Sequence, residues 1–147
     1  MLSEVILLKA RERLATIVAA ASLRDAAEIM SRPHTDLVVV CDYDGRMVGV
    51  LTKTDVVRRI GLCSGSGCTV RVDAIMTRKV ASCLTSAVLQ DVWLMMKERG
   101  LQRIPVLDEG SRPVGIIYAR DALQNLLGEV EDEEALLREY VTGVGYR

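Results

Sequence analysis

The chain has 147 residues, of which 50% are hydrophobic, 27% charged and 3% aromatic, with a net charge of −1 and no phenylalanine. That length fits one compact domain, and the missing basic surplus and aromatic platform argue against a nucleic-acid binder. No run approaches the roughly 18 apolar residues of a membrane span; the N-terminal MLSEVILLKARER has neither a leading basic segment nor a small-residue cleavage site, so a cytoplasmic protein is expected.

In chain order, residues 15–19 read as a short apolar strand. Ser22 is a predicted N-cap with Asp25 as its acidic partner, and Leu23, Ala26, Ala27 and Met30 follow at helical spacing. Pro33 keeps that helix from passing Arg32. Leu37–Cys41 is rich in β-branched residues and reads as a buried strand; residues 42–46 hold an Asp-Gly hairpin turn, and 47–51 form the return strand. Thr52 or Thr54 caps a helix over 55–60, which Gly61 stops. A Gly- and Ser-rich surface connection follows over 61–71. Residues 80–84 are the next strand, and Ser86 caps a helix through Val88, Val92, Met95 and Met96 that ends at Gly100. Arg103–Leu107 and Pro113–Tyr118 are strands joined by a turn, and a helix runs from 120 to about 127, with Gly128 as its stop. The acidic EVEDEE at 129–134 leads into helical spacing over 135–140, read as a solvated helix packed on the body or a second subunit, or else as a docking tail.

The order β-α-β-β-α thus occurs twice. Sliding the chain by 66 residues superposes GVLTKTD at 49–55 on GIIYARD at 115–121, and also Leu23 on Leu89, Asp25 on Asp91, Met30 on Met96 and Val40 on Val106. No gap is needed from Leu14 and Val80 to Val57 and Leu123. A tandem repeat fixes architecture before any single residue is interpreted. One copy of about 60 residues buries too little surface to stand alone, so the two copies are expected to share a core. The apolar excess suggests an oligomer interface as well.

The segment 49–55 also carries chemistry. Its strand ends in Thr-x-Thr-Asp at a helix start, where free N–H groups favour an anion. Thr52 and Thr54 offer hydroxyls to phosphate oxygens, Lys53 a cation, and Asp55 an acceptor for the vicinal hydroxyls of a ribose. Ordinary helix capping by Thr and Asp is the alternative. Catalysis is not expected, because the single histidine, His34, lies beside Pro33 without an evident nucleophile. Nor is a metal site, for want of further ligands. Cys41 and Cys83 read as small buried hydrophobes, and Cys63 and Cys68 as plain loop cysteines or, alternatively, a thiol redox pair. Trp93 lies in an apolar helical stripe and reads as core or interface.

The duplicated Gly-h-h-Thr-x-x-Asp ending and its variant, IMTRKV at 75–80 and RIPVLDEGSRPVGII at 103–117 resemble a pair of CBS (cystathionine β-synthase) domains, over roughly 10–127. The resemblance implies an α/β fold, α+β by segregation, with two sheets packed face to face in pseudo-twofold symmetry. The expected division is a first domain at 10–62, a linker at 63–75, a second domain at 76–127 and an acidic helix and tail at 128–147. It further implies two clefts for adenosine compounds such as AMP, ADP, ATP, S-adenosylmethionine or NAD, with or without magnesium and with no required cofactor. Such modules regulate rather than catalyse; a homodimer and a regulated partner protein are expected.

Carried over by residue, the resemblance places the ribose on Asp55 and phosphate on Thr52 and Thr54, with Lys53 nearby. The adenine would lie against Met76, Thr77, Lys79, Val80 and Ala81, with Leu101 and Gln102 as a wall. In the second cleft Tyr118 and Arg120 replace the two threonines, and Asp121 keeps the ribose role. Arg103 stands where some family members hold phosphate, and the base would lie against Arg13, Leu14 and Ala15, near Thr35. The clefts are therefore expected to be unequal, the second either empty and structural or selective for a more highly charged ligand. The rival readings are a constitutive dimerisation scaffold with vestigial clefts and a thiol redox protein using Cys63 and Cys68.

Overall fold

The computed structural model of the chain describes residues 1–62 and 69–144. Its fold is α/β, with two three-stranded sheets and their helices. The first half contains α1 (Glu4–Glu12), β1 (Thr16–Val18), α2 (Leu23–Met30), β2 (Leu37–Cys41), β3 (Met47–Thr52) and α3 (Lys53–Leu62). After a 3₁₀ turn at Val72–Ala74 come β4 (Cys83–Leu84), α4 (Leu89–Arg99), β5 (Arg103–Leu107), β6 (Pro113–Tyr118) and α5 (Ala119–Val144). The sheets are ordered β1-β2-β3 and β4-β5-β6, each with one parallel and one antiparallel pairing. Their registers repeat: Leu37 opposes Thr52 as Arg103 opposes Tyr118, and both hairpins shift register at the end of the middle strand.

Local chemistry explains much of this. Ser22 and Asp25 form a reciprocal capping box at the start of α2, both bonds 3.2 Å long. In the first hairpin the Asp42 carboxylate accepts from the N–H groups of Asp44 and Arg46; Asp108 does the same for Gly110 and Arg112 in the second. The left-handed turn residue is Gly45 in one copy and Ser111, φ 63°, in the other. Along β2 every residue is buried, and alternation divides them. Val38 and Val40 face a core closed by Leu23, Ala26, Met30 and Val56. Leu37, Val39 and Cys41 join Val50, Ile116 and Tyr118 in the layer between the sheets. Burial alone would leave two greasy half-domains; this middle layer makes them one body.

The segments that enter the repeats are exchanged. Helix α1 and the residues before it, preceding the first copy, pack Leu2, Ile6 and Ala10 into the core of the second, with Val92, Met96, Ile104 and Ile117. The segment preceding the second copy packs on the first. Val70 accepts from Leu23 N–H, Val72 donates to Ala21, and Thr77 pairs with Val50 in both directions at 2.8 and 2.9 Å.

Five expectations are corrected. Helix α1 was not anticipated from the N-terminal run. Ser86 does not cap α4, whose N-cap is Val88, with no side-chain bond. Helix α3 passes through Gly61 instead of stopping there. Helix α5 continues through Gly128 to Val144, so the expected break and separate helix over 135–140 are replaced by one element. A helical glycine costs only about 1 kcal/mol, and the Glu-, Leu- and Ala-rich residues beyond Gly128 outweigh that locally. Strands β1 and β4 are also shorter than expected.

Burial pushes the Cys83 thiol up to about 11. Burial, then the neighbouring charge of Asp42, raises that of Cys41. Both are therefore protonated and weakly nucleophilic at neutral pH. Cys63 and Cys68 lie outside the described residues. Among the described residues no helix is long and apolar enough to cross a membrane.

Candidate functional site

The first cleft is built where β3 runs into α3. Thr52 Oγ1 accepts from Asp55 N–H at 3.1 Å, and Asp55 Oδ2 accepts from Thr52 N–H at 3.0 Å. The turn is thus a capping box in its own right. An ionised carboxylate has about four acceptor positions, so capping leaves Asp55 further acceptor capacity. In front of this turn a cavity of about 690 Å³ is lined by Asp36, Leu37, Thr52, Lys53, Thr54, Val57, Arg58, Gln102 and Arg103.

Four of the residues expected at this cleft, Thr52, Lys53, Thr54 and Gln102, therefore meet in one cavity. Asp55, which caps the turn, and the expected adenine-facing residues do not line it. Thr77 is tied to β3 by its backbone, and Met76 lies over Gly49, whose added Cβ would come 2.8 Å from the Met76 sulfur. Val80 packs in the layer between the sheets, and Ala81 and Leu101 pack on the core of the second copy. Lys79 is exposed.

Asp36 and Arg103 add what spacing did not place there. Asp36 accepts a hydrogen bond from Arg103 Nη2 at 3.0 Å and forms an ion pair with Lys53 Nζ at 3.4 Å. A signal for Asp36 existed: it stands 66 residues before Gln102, already a candidate, and so occupies the equivalent post in the other repeat.

In the second cleft the expected ligand-binding groups are engaged with one another. Arg13 grips Asp121 through two nitrogens, Nε to Oδ2 at 3.2 Å and Nη2 to Oδ1 at 3.3 Å, and Asp121 is only 8% exposed. Tyr118 is buried, and its hydroxyl donates to the His34 carbonyl at 3.1 Å. Three guanidiniums surround its ring, those of Arg13, Arg103 and Arg120, at 4.2, 4.9 and 5.4 Å from the centroid. Cation–π attraction favours each placement and partly offsets mutual repulsion of the cations. Leu14 packs between the sheets, Ala15 packs on the first core, and Thr35 lies next to His34 in the half-buried loop. Two hollows border these side chains: one of about 270 Å³, lined by Gln102, Arg103, Tyr118, Ala119 and Arg120, and one of about 480 Å³ on the outer side of the Arg13–Asp121 pair, lined by Lys9, Arg13, Arg120, Asp121, Leu123, Gln124 and Leu127. Arg103 therefore borders both clefts.

Comparison with known proteins agrees with this architecture. The CBS domain family matches at residues 3–62 and again at 72–128. A homoserine O-acetyltransferase of Methanococcoides burtonii is 30% identical over 118 residues, 80% of this chain but 23% of that enzyme. The chain thus spans under a quarter of that relative's length. A CBS domain pair solved with 5′-methylthioadenosine and S-adenosyl-L-methionine superposes with a TM-score of 0.63, at 23% identity, over 78% of this chain and 91% of that one. The cytosolic domain of the Mg²⁺ channel MgtE, solved with ATP, gives 0.66 at 23% identity, over 81% of this chain and 51% of that one. At these identities the two structures share the fold.

Proposed function

We propose that this chain, which belongs to the CBS domain family, is a regulatory module that binds an adenosine-containing ligand in its first cleft. The carrying observation is the Thr52–Asp55 turn, which opens on a cavity lined by two hydroxyls and by the cations of Lys53, Arg58 and Arg103. Support comes from the two structural neighbours, which hold S-adenosylmethionine with methylthioadenosine in one case and ATP in the other. In this reading Thr52 and Thr54 take the phosphate, Asp55 of the same turn takes the ribose hydroxyls, and the base lies against the lining residues Leu37, Val57 and Gln102, not against Met76–Ala81. The second cleft is structural: the Arg13–Asp121 pair and the Tyr118 ring take up its ribose and phosphate positions. The module acts in the cytoplasm without catalysing a reaction, and ligand is nucleotide or S-adenosylmethionine, with or without magnesium.

Signalling needs differential affinity between two arrangements, of the two copies or of a homodimer, that a partner protein reads. Sedimentation at micromolar concentration, with and without ATP, is expected to show a species larger than 16.2 kDa; a monomer in both conditions removes the dimer from the proposal.

Asp55 supplies the direct test. Asp55→Ala is expected to weaken ATP or S-adenosylmethionine binding at least about tenfold, the loss of one charged hydrogen-bond acceptor. It should cost only about 1 kcal/mol of stability, the loss of a cap. Calorimetry that finds equal affinity in the folded variant overturns the assignment of the cleft. No binding of any adenosine compound by the parent chain favours the scaffold reading.

A further inference from the structure

The first cleft contains an anion of its own. Asp36 lies on its wall between two cations that come from different repeats: Lys53 at the start of α3, and Arg103 at the start of β5. Asp36 and Lys53 are 39% and 51% exposed at their side chains, so that contact is open to water and easily exchanged. Arg103 also has donor capacity left over, since its Nε is buried without a partner. Asp36 thus pairs with two of the three lining cations, Lys53 and Arg103, while Arg58 lines the same cavity.

We propose that Asp36 is an internal stand-in for a ligand phosphate. It holds Lys53 and Arg103 in place while the cleft is empty and yields them when a more highly charged group arrives. A single carboxylate carries one negative charge; a terminal phosphate carries up to two, with three oxygens for the same donors. Displacement is therefore favourable for a nucleoside di- or triphosphate. It is unfavourable for a thioether such as methylthioadenosine, which has no anionic group, and brings no gain for S-adenosylmethionine, whose single carboxylate only matches that of Asp36 and comes with an ammonium and a sulfonium. Asp36 thereby acts as a specificity residue, setting a threshold of charge that the ligand must exceed. The inference deepens the nucleotide reading of this cleft and rests on it for the adenosine half of the ligand, though not for the phosphate.

The test uses the full chain, its Asp36→Asn variant and two probes at low ionic strength, ATP and inorganic tripolyphosphate. Removing the competing carboxylate should tighten binding of both by about tenfold or more in calorimetry. Affinity for S-adenosylmethionine should not rise. Adding Lys53→Gln to the variant should remove much of the gain. Asp36→Ser, which keeps a small polar side chain, should behave like Asp36→Asn and guards against a local folding defect. The proposal is overturned if Asp36→Asn binds tripolyphosphate no more tightly than the parent, if neither protein binds it, or if the parent prefers S-adenosylmethionine to ATP. The two readings fail separately. Tripolyphosphate responding as expected while no adenosine compound binds overturns the nucleotide reading alone; ATP binding equally to parent and variant overturns the role of Asp36 alone.

Discussion

Gly115→Ala is expected to destabilise the protein by about 2 kcal/mol, the cost of overpacking a rigid contact. At this chain length that lowers the melting temperature by roughly 8 °C. A Cβ on Gly115 would lie 2.7 Å from both the carbonyl carbon and the Cβ of Ala10, and 2.8 Å from its oxygen. These atoms belong to α1 at a buried position, and the Ala10 carbonyl also accepts from Arg13 N–H at 3.2 Å, so no flexible side-chain end can swing aside. Relief must come from lifting α1 off β6, which exposes Leu2, Ile6 and Ala10. Amide exchange should therefore show α1 losing protection while β2 and β3 keep theirs. Gly61→Ala is the control, because nothing lies within 4 Å of its Cβ. Gly115→Ala melting within about 2 °C of that control would show that α1 does not bear on β6.

This contact also shows how far the sequence could be read. The repeat was legible because its determinants are local or periodic: the Ser22–Asp25 box, the Asp-x-x-Gly and Asp-x-x-Ser turns after Asp42 and Asp108, and the alternation along Leu37–Cys41. The glycines of GVLTKTD and GIIYARD belong to the duplicated motif that carries the family resemblance. Their packing role is different: each lies directly beneath the segment that enters the opposite repeat, Met76–Thr77 over Gly49 and Ala10 over Gly115. Ala10 and Met76 are themselves 66 residues apart, so the internal symmetry extends to these crossings. Helix α1 was legible locally, from the Ser3 N-cap, Glu4 in the first turn and Leu2, Ile6 and Ala10 four residues apart; what no local signal reports is its packing against β6 and α5, about a hundred residues away. Asp36 was missed for a related reason. Its partners Lys53 and Arg103 come from two strand ends that meet only once the sheets are packed, and Asp36 itself lies outside the 49–55 motif. The site hydroxyls of Thr52 and Thr54 were legible because one turn carries both.

Arg13→Ala should be more damaging, by about 3 kcal/mol, since it leaves a buried carboxylate without its cation. Asp121 has a side chain 7% exposed and Arg13 one that is 18% exposed, so water reaches the pair poorly. The same substitution removes the guanidinium closest to the Tyr118 ring. Asp121→Ala should cost less, because Arg13 keeps its place over that ring and its long side chain can reach solvent. The asymmetry is the informative part. Removing one member of a buried pair measures the orphaned charge, whereas the double variant measures what the pair contributes. Arg13→Met with Asp121→Leu should recover most of the loss in chemical denaturation, so that the cycle shows strong coupling and small net stabilisation. Near-additive single effects would mean that Arg13 acts through Tyr118 rather than through Asp121. The pair then has a functional consequence that stability alone does not reveal. If it is what closes the second cleft, a folded Arg13→Ala protein should gain a second, weaker nucleotide site in calorimetry, using the freed Asp121. A stoichiometry that stays at one per chain would instead assign the closure to the bulk of Tyr118, held by its bond to the His34 carbonyl.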